Sequence, residues 1–187
     1  MKLRRLVASI LATALLALWG SAVHAQDVGA EQAVRKAGAS EAARAGESQL
    51  LGTWKLQSWV YEVIGTGALS KPFGEHPIGY LNYSPDGRMY AILVAEDRPK
   101  PHDLVPTDEE KVKLQGSMVA YAGTYTIDGE KIVHHVDVSW NESWTGTDQV
   151  RFYKLDGDTL TITTAPGKSP FTAGEEFRSV LVWKKVQ

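Results

Sequence analysis

Three Asp-Gly pairs punctuate this chain, at Asp86-Gly87, Asp128-Gly129 and Asp156-Gly157. Each sits between two segments in which apolar and polar residues alternate. Asp bonds back to its own backbone and Gly accepts the left-handed conformation, so the pair suits a tight reversal between antiparallel strands. Pro85 strengthens the first by presetting φ. The turns join 79–83 to 88–94, 119–127 to 131–139, and 148–155 to 159–164. Segments 51–63 and 177–186 read as the first and last strands. About eight strands in an antiparallel meander predict an all-β fold, a small up-and-down barrel with room for one ligand.

The rest of the chain sets limits on what surrounds that meander. Its 187 residues are one domain's worth, with no Cys and a formal net charge of -2. Near-neutral charge gives no reason to expect nucleic acid as a partner. Residues 1–25 read as a cleavable signal peptide. Lys2, Arg4 and Arg5 precede an apolar run from Leu6 to Leu18, and Val23-His24-Ala25 suits cleavage after Ala25. The run is shorter than the roughly 20 residues a membrane span needs, and without Cys no lipidated N-terminus is available. No stable membrane anchor is expected, and the mature chain is placed in the periplasm or outside the cell. Cleavage leaves 17 basic residues against 22 acidic, a net charge of -5. Residues 26–49 read as a linker or weak helix, with Gly29, Gly38 and Gly46 against helix formation. The barrel domain is expected over 50–187.

One segment departs from the β pattern. Residues 96–106 are Pro-rich and charged, and Thr107-x-x-Glu110 then forms a capping box that opens a short helix to about Met118. Two roles are open, a lid over the barrel mouth or a surface insertion.

Several blocks occur in an order that resembles the lipocalin-like domain family of the calycin superfamily. They are LLGTWKLQSW, PFGEHPIGYLNYSPDGRMYA, AYAGTYTIDGEKIVHHVDVS, GTDQVRFYKLDGDTLTI and the terminal LVWKKV. The resemblance implies an antiparallel barrel with an internal pocket. It implies that Trp54, in Gly52-Thr53-Trp54, plugs the barrel floor and that Arg178 on the last strand packs across it. Some related barrels act as cyclases or isomerases. Gln149 follows Thr147-Asp148 where lipocalins carry Tyr, which speaks against a receptor-facing role. Lys55-Leu56-Gln57 after Trp54 departs from haem-binding nitrobindin-like barrels, so no cofactor is expected.

The candidate ligand-binding residues are Tyr83, Tyr121, Tyr125, His134, Arg151 and Tyr153. In strand 131–139, Ile132, His134, Val136 and Val138 share the apolar face, which carries His134 inward. His134 is then either a satisfied core histidine or a polar anchor and general base. Arg151 has two readings. With Gln149, Tyr153 and Leu155 it faces the interior, where it would ask for an acidic partner or an anionic ligand. If Val150 and Phe152 face inward instead, it is a surface Arg. His135 and Asp137, at i and i+2, form a weak metal pair without a third ligand, and no metal site is expected. His102 adds nothing specific. Trp140 and Trp144 are placed to guard the mouth. No nucleophile elbow and no phosphate loop occurs.

Three functions follow. The favoured one is an exported barrel binding a small, mostly apolar molecule, with a carboxylate as one fitting head group. The alternatives are a cyclase or isomerase using His134 as acid–base, and a partner-binding envelope protein.

Overall fold

The computed structural model describes residues 31, 34, 35, 47–168 and 174–187. The expected leader and most of the 26–49 segment lie outside these residues. Residues 31, 34 and 35 are helical, with Arg35 bonded to Glu31 at 2.5 Å.

From Gly52 onward the described residues form ten strands: β1 (Gly52–Val63), β2 (Leu69–Ser70), β3 (Ile78–Tyr83), β4 (Arg88–Val94), β5 (Met118–Asp128), β6 (Lys131–Ser139), β7 (Asp148–Asp156), β8 (Thr159–Thr164), β9 (Gly167–Lys168) and β10 (Glu176–Lys185). A helix, Asp108–Gly116, lies between β4 and β5. The long strands pair in the order β1-β3-β4-β5-β6-β7-β8-β10, and β10 pairs with β1, so eight antiparallel strands close a barrel. The two-residue strands β2 and β9 are added along β1 and β10.

The three tight turns form as their chemistry demands. Gly87, Gly129 and Gly157 have φ of 82°, 59° and 57°. At the first, Asp86 Oδ1 accepts from the Arg88 N–H at 3.1 Å and Ser84 O accepts from the Gly87 N–H at 3.1 Å. These turns gather at one end of the barrel. The longer connections, 64–77, 95–117 and 140–147, gather at the other. The helix keeps its capping box: Thr107 Oγ1 accepts from the Glu110 N–H and the Glu110 carboxylate accepts from the Thr107 N–H.

Trp54 fills the turn end. Its side chain is fully buried, and its indole N–H donates to Leu50 O at 2.8 Å. Tyr83, Leu81, Ile132 and Leu160 pack the same end. Arg178 does not cross Trp54. β10 runs antiparallel to β1, so the residue opposite Trp54 is Lys185, near the C-terminal end of β10. Lys185 Nζ stands 5.0 Å from the Trp54 ring centroid and donates to Gln49 O at 2.7 Å. Arg178 faces Glu62 at the open end and bonds its carboxylate at 2.9 and 3.0 Å.

Two bulges retune the alternation. In β1 the register shifts between Leu56 and Ser58, which brings Trp59 and Tyr61 to the inner side after Trp54 and Leu56. In β6, Gly123 pairs with Val136 while Ala122 pairs with Val138, leaving Asp137 as the extra residue. Val138 therefore turns outward and is 59% exposed, contrary to the even alternation expected of that strand. The crossing is tight: a Cβ on Gly123 would meet His135 O at 1.9 Å.

That contact cannot be relieved by a rotamer change, because the atom met belongs to the backbone. Gly123→Ala is expected to lower stability by about 1–3 kcal/mol or more, measured by urea denaturation. An unchanged midpoint would mean that the bulge does not form as described.

Candidate ligand-binding site

The mouth half of the barrel is hollow. A cavity of about 920 Å³ extends from the turn-end packing to the long connections. Its walls are aromatic on two facing sides. On the β1 side, Trp59 lies against Phe73 with centroids 4.2 Å apart, and Tyr61 lies 4.6 Å from Phe177. On the β5–β6 side, Tyr121 meets Trp144 at 5.5 Å and Trp144 meets Trp140 at 5.0 Å. Strands β1 and β6 are four places apart in a ring of eight, so these surfaces confront each other.

The connections hold this mouth in place. Phe73 is carried in by the 64–77 loop, and the Phe73 carbonyl accepts from the Glu96 N–H at 2.9 Å. The Glu96 carboxylate accepts from the Glu75 and His76 N–H groups at 2.7 and 3.0 Å, which holds it below the ordinary carboxylate range. The helix buries none of its side chains, but Gln115 and Gly116 line the cavity. Gln115 Nε2 donates to Trp140 O at 2.8 Å and links helix to the β6–β7 connection.

The polar centre of the cavity is His134, 1% exposed. Tyr83 Oη is 2.8 Å from its Nε2 and Tyr121 Oη is 2.9 Å from its Nδ1. Burial lowers the His134 pKa from 6.5 to about 3, with the charge of Arg151 and then that of His135 adding to it. The ring is neutral at pH 7, so one nitrogen donates and the other accepts. Burial raises the pKa of both tyrosines, and at Tyr121 the nearby charge of Arg151 pulls the other way.

Arg151 faces inward. Its partner across the strand pair is Ile132, a fully buried residue, and directly paired residues share a face. Gln149, Arg151 and Tyr153 therefore form the inner set, and Phe152 faces out. The guanidinium donates to Val150 O at 2.9 Å and Gln149 Oε1 at 3.5 Å, and sits 5.8 Å over the Trp144 ring. Among the described residues no carboxylate forms an ion pair with it.

Of the six candidate residues, Tyr121, His134 and Arg151 line the cavity together. Tyr83, Tyr125 and Tyr153 do not. They lie on the halves of their strands nearer the turns, where side chains fill the barrel. Tyr83 stands behind His134, and the Tyr125 hydroxyl donates to Ser84 O at 3.1 Å. Trp59, Tyr61, Phe73, Phe177 and Trp183 also line the cavity, and none of them is among the six candidates. Distance along the strand from the Asp-Gly turns was the signal that would have found most of them. The indole N–H groups of Trp59 and Trp183 are buried without a hydrogen-bond partner among the described residues.

His135 and Asp137 point elsewhere. His135 Nδ1 meets Asp148 Oδ1 at 2.7 Å, its Nε2 meets Thr126 Oγ1 at 3.0 Å, and Asp137 binds Arg88 at 3.1 Å. Both groups are already engaged with protein partners. Among the described residues no cluster of three metal-ligating side chains occurs.

A family model described as a lipocalin-like domain matches residues 51–186, and the chain belongs to that family. A 4'-hydroxy-3'-methoxypropiophenone carrier protein from Aspergillus oryzae is 32% identical over 89 residues, 43% of this chain and 78% of that protein. Among solved structures, a lipocalin-like protein from Bacteroides uniformis aligns with a TM-score of 0.41 at 16% identity, covering 74% of this chain and 99% of that one. A protein from Bacteroides eggerthii aligns with a TM-score of 0.36 at 13% identity, covering 73% and 99%.

The lowered His134 pKa makes stability depend on pH. In the unfolded chain the imidazole protonates as pH falls through 6.5, whereas the folded state resists until about 3. Protonation thus favours unfolding across that window, and wild type loses stability as pH falls. The loss should approach about 1.4 kcal/mol per pH unit from this group. Urea denaturation between pH 6.5 and 4 should show a steeper decline for wild type than for His134→Gln. Parallel curves would mean that His134 titrates normally.

Proposed function

We propose that this barrel binds and carries a small, mostly apolar molecule with a flat ring and a carbonyl or carboxylate oxygen. The observation that carries the reading is the cavity itself. Its volume falls in the range of about 300–1,000 Å³ usual for small-molecule sites. Facing aromatic surfaces suit a planar ring. Tyr121 and Arg151, with His134 bonded behind the Tyr121 hydroxyl, supply the few placed polar groups that orient such a ligand. The Aspergillus relative carries an aryl ketone by name, a chemistry consistent with these walls.

The acid–base enzyme reading is weaker on the same geometry. A general base works best with a pKa near the operating pH, and His134 titrates near 3 with both ring nitrogens engaged by tyrosines. Export is part of the proposal. Mature protein recovered from the periplasm should begin at Gln26 by N-terminal sequencing, and an intact Met1 there would remove that part.

Trp59, Trp140, Trp144 and Trp183 line the cavity, so their fluorescence reports occupancy. Titration with 4'-hydroxyacetophenone and with 4-hydroxybenzoate should quench it to saturation at one equivalent. Arg151→Met should weaken the carboxylate at least about tenfold, since a desolvated charge partner is lost, and the neutral ketone less. No saturable quenching by either compound in wild type would refute the proposed ligand class.

A further inference from the structure

We propose that Tyr83, which does not touch the cavity, fixes the tautomer of His134 and so makes the Tyr121 hydroxyl a donor toward the ligand. With Arg151 it then forms a two-donor cradle for an oxygen carrying no hydrogen of its own, as in a ketone or carboxylate. This rests on the ligand-binding reading above and names the chemistry its polar centre selects.

The argument is a count of hydrogens along one chain of contacts. The Tyr83 hydroxyl is fully buried, and among the described residues its hydrogen-bond partner is His134 Nε2 at 2.8 Å. A buried O–H without an acceptor is costly, so the hydroxyl donates and Nε2 accepts. A neutral imidazole with an accepting Nε2 carries its proton on Nδ1. That N–H faces the Tyr121 oxygen at 2.9 Å and must donate to it. Tyr121 then accepts from His134, and its own hydrogen is released from that contact. Tyr121 lines the cavity, so the released hydrogen is available there.

The opposite tautomer strands the Tyr83 hydrogen in the packed end of the barrel. The cost of an unpaired buried donor corresponds to a preference of about ten- to a hundredfold for the Nδ1–H form. Arg151 acts in the same direction. It is 9% exposed, a pure donor, and lines the same cavity as Tyr121. Two donors thus converge at the polar end. A ketone or carboxylate oxygen satisfies both. An alcohol of the same outline brings a hydrogen that neither accepts.

The tautomer is measurable without any ligand. In protein labelled with 15N-histidine, the His134 signals are assigned by their loss in His134→Gln. The expected spectrum shows a protonated Nδ1 and an accepting Nε2. A protonated Nε2 in wild type would overturn the inference, whatever the variants do. In Tyr83→Phe the proton should redistribute toward Nε2, and an unchanged tautomer in the folded variant would also overturn it.

The second measurement is the ratio of dissociation constants for 4'-hydroxyacetophenone and its reduced alcohol, 1-(4-hydroxyphenyl)ethanol, by calorimetry. Wild type should favour the ketone by about tenfold, an order set by one unpaired polar hydrogen. Tyr83→Phe should bring the ratio below about threefold, as the donor preference at Tyr121 is lost. Both compounds binding with an unaltered ratio in Tyr83→Phe would overturn this inference and leave ligand binding intact. Neither compound binding wild type would instead overturn the binding reading, and with it the ligand half of this proposal.

Discussion

Everything inside this protein depends on the pairing of its first long strand with its last. β1 and β10 pair from Trp54–Lys185 to Val63–Phe177, joining the two sequence ends of the sheet. Without that seam, the meander is an open sheet with two unpaired edges and one apolar face exposed to water. With it, the inner face becomes an interior. The seam also fixes depth: it sets Trp54 and Lys185 at the turn end and Glu62 and Arg178 at the mouth.

Closure alone would give a packed barrel. The hollow arises from how side chains are distributed along the strands. At the turn end, Trp54, Tyr83, Leu81, Ile132 and Leu160 meet across the axis and fill it. At the mouth end, the aromatic residues lie against the walls in pairs, Trp59 with Phe73 and Trp144 with Tyr121. A ring packed on its neighbour along the wall lines space without occupying it. The bulge at Gln57 is part of this arrangement, since it brings Trp59 and Tyr61 to the inner side. The bulge at Asp137 keeps Val136 inside and turns Val138 to solvent.

The polar centre sits where the filled and hollow halves meet. His134 reaches back to Tyr83 in the packed end and across to Tyr121 in the cavity wall. Such a network is costly if incomplete and specific if complete, because the low-dielectric surroundings strengthen each bond and penalise each vacancy. Arg151 is the unusual member. It carries a buried charge and rests on neutral acceptors, Val150 O and Gln149 Oε1. That leaves guanidinium donors free to face the cavity that Arg151 lines.

The sequence by itself determined the eight long strands, the helix between β4 and β5, and their order. Asp-Gly pairs name their turns, Thr107-x-x-Glu110 names its helix start, and alternation separates the faces of β6 as far as Val136. It determined that His134 would be inside. These are local matters, settled by backbone conformation and by the period of two. Three things were decided only by tertiary structure. The face carrying Arg151 was open because both sets of β7 alternate equally well, and pairing with buried Ile132 resolved it. Val138 was misassigned because a bulge arises from the fit of two strands, at Gly123, rather than from one. The role given to Arg178 fell to Lys185 because register along the seam, which no single strand encodes, sets what lies above Trp54. Depth along the barrel axis is the common factor. A strand's sequence tells which way a side chain points, and only the closed barrel tells whether that direction meets another side chain or empty space.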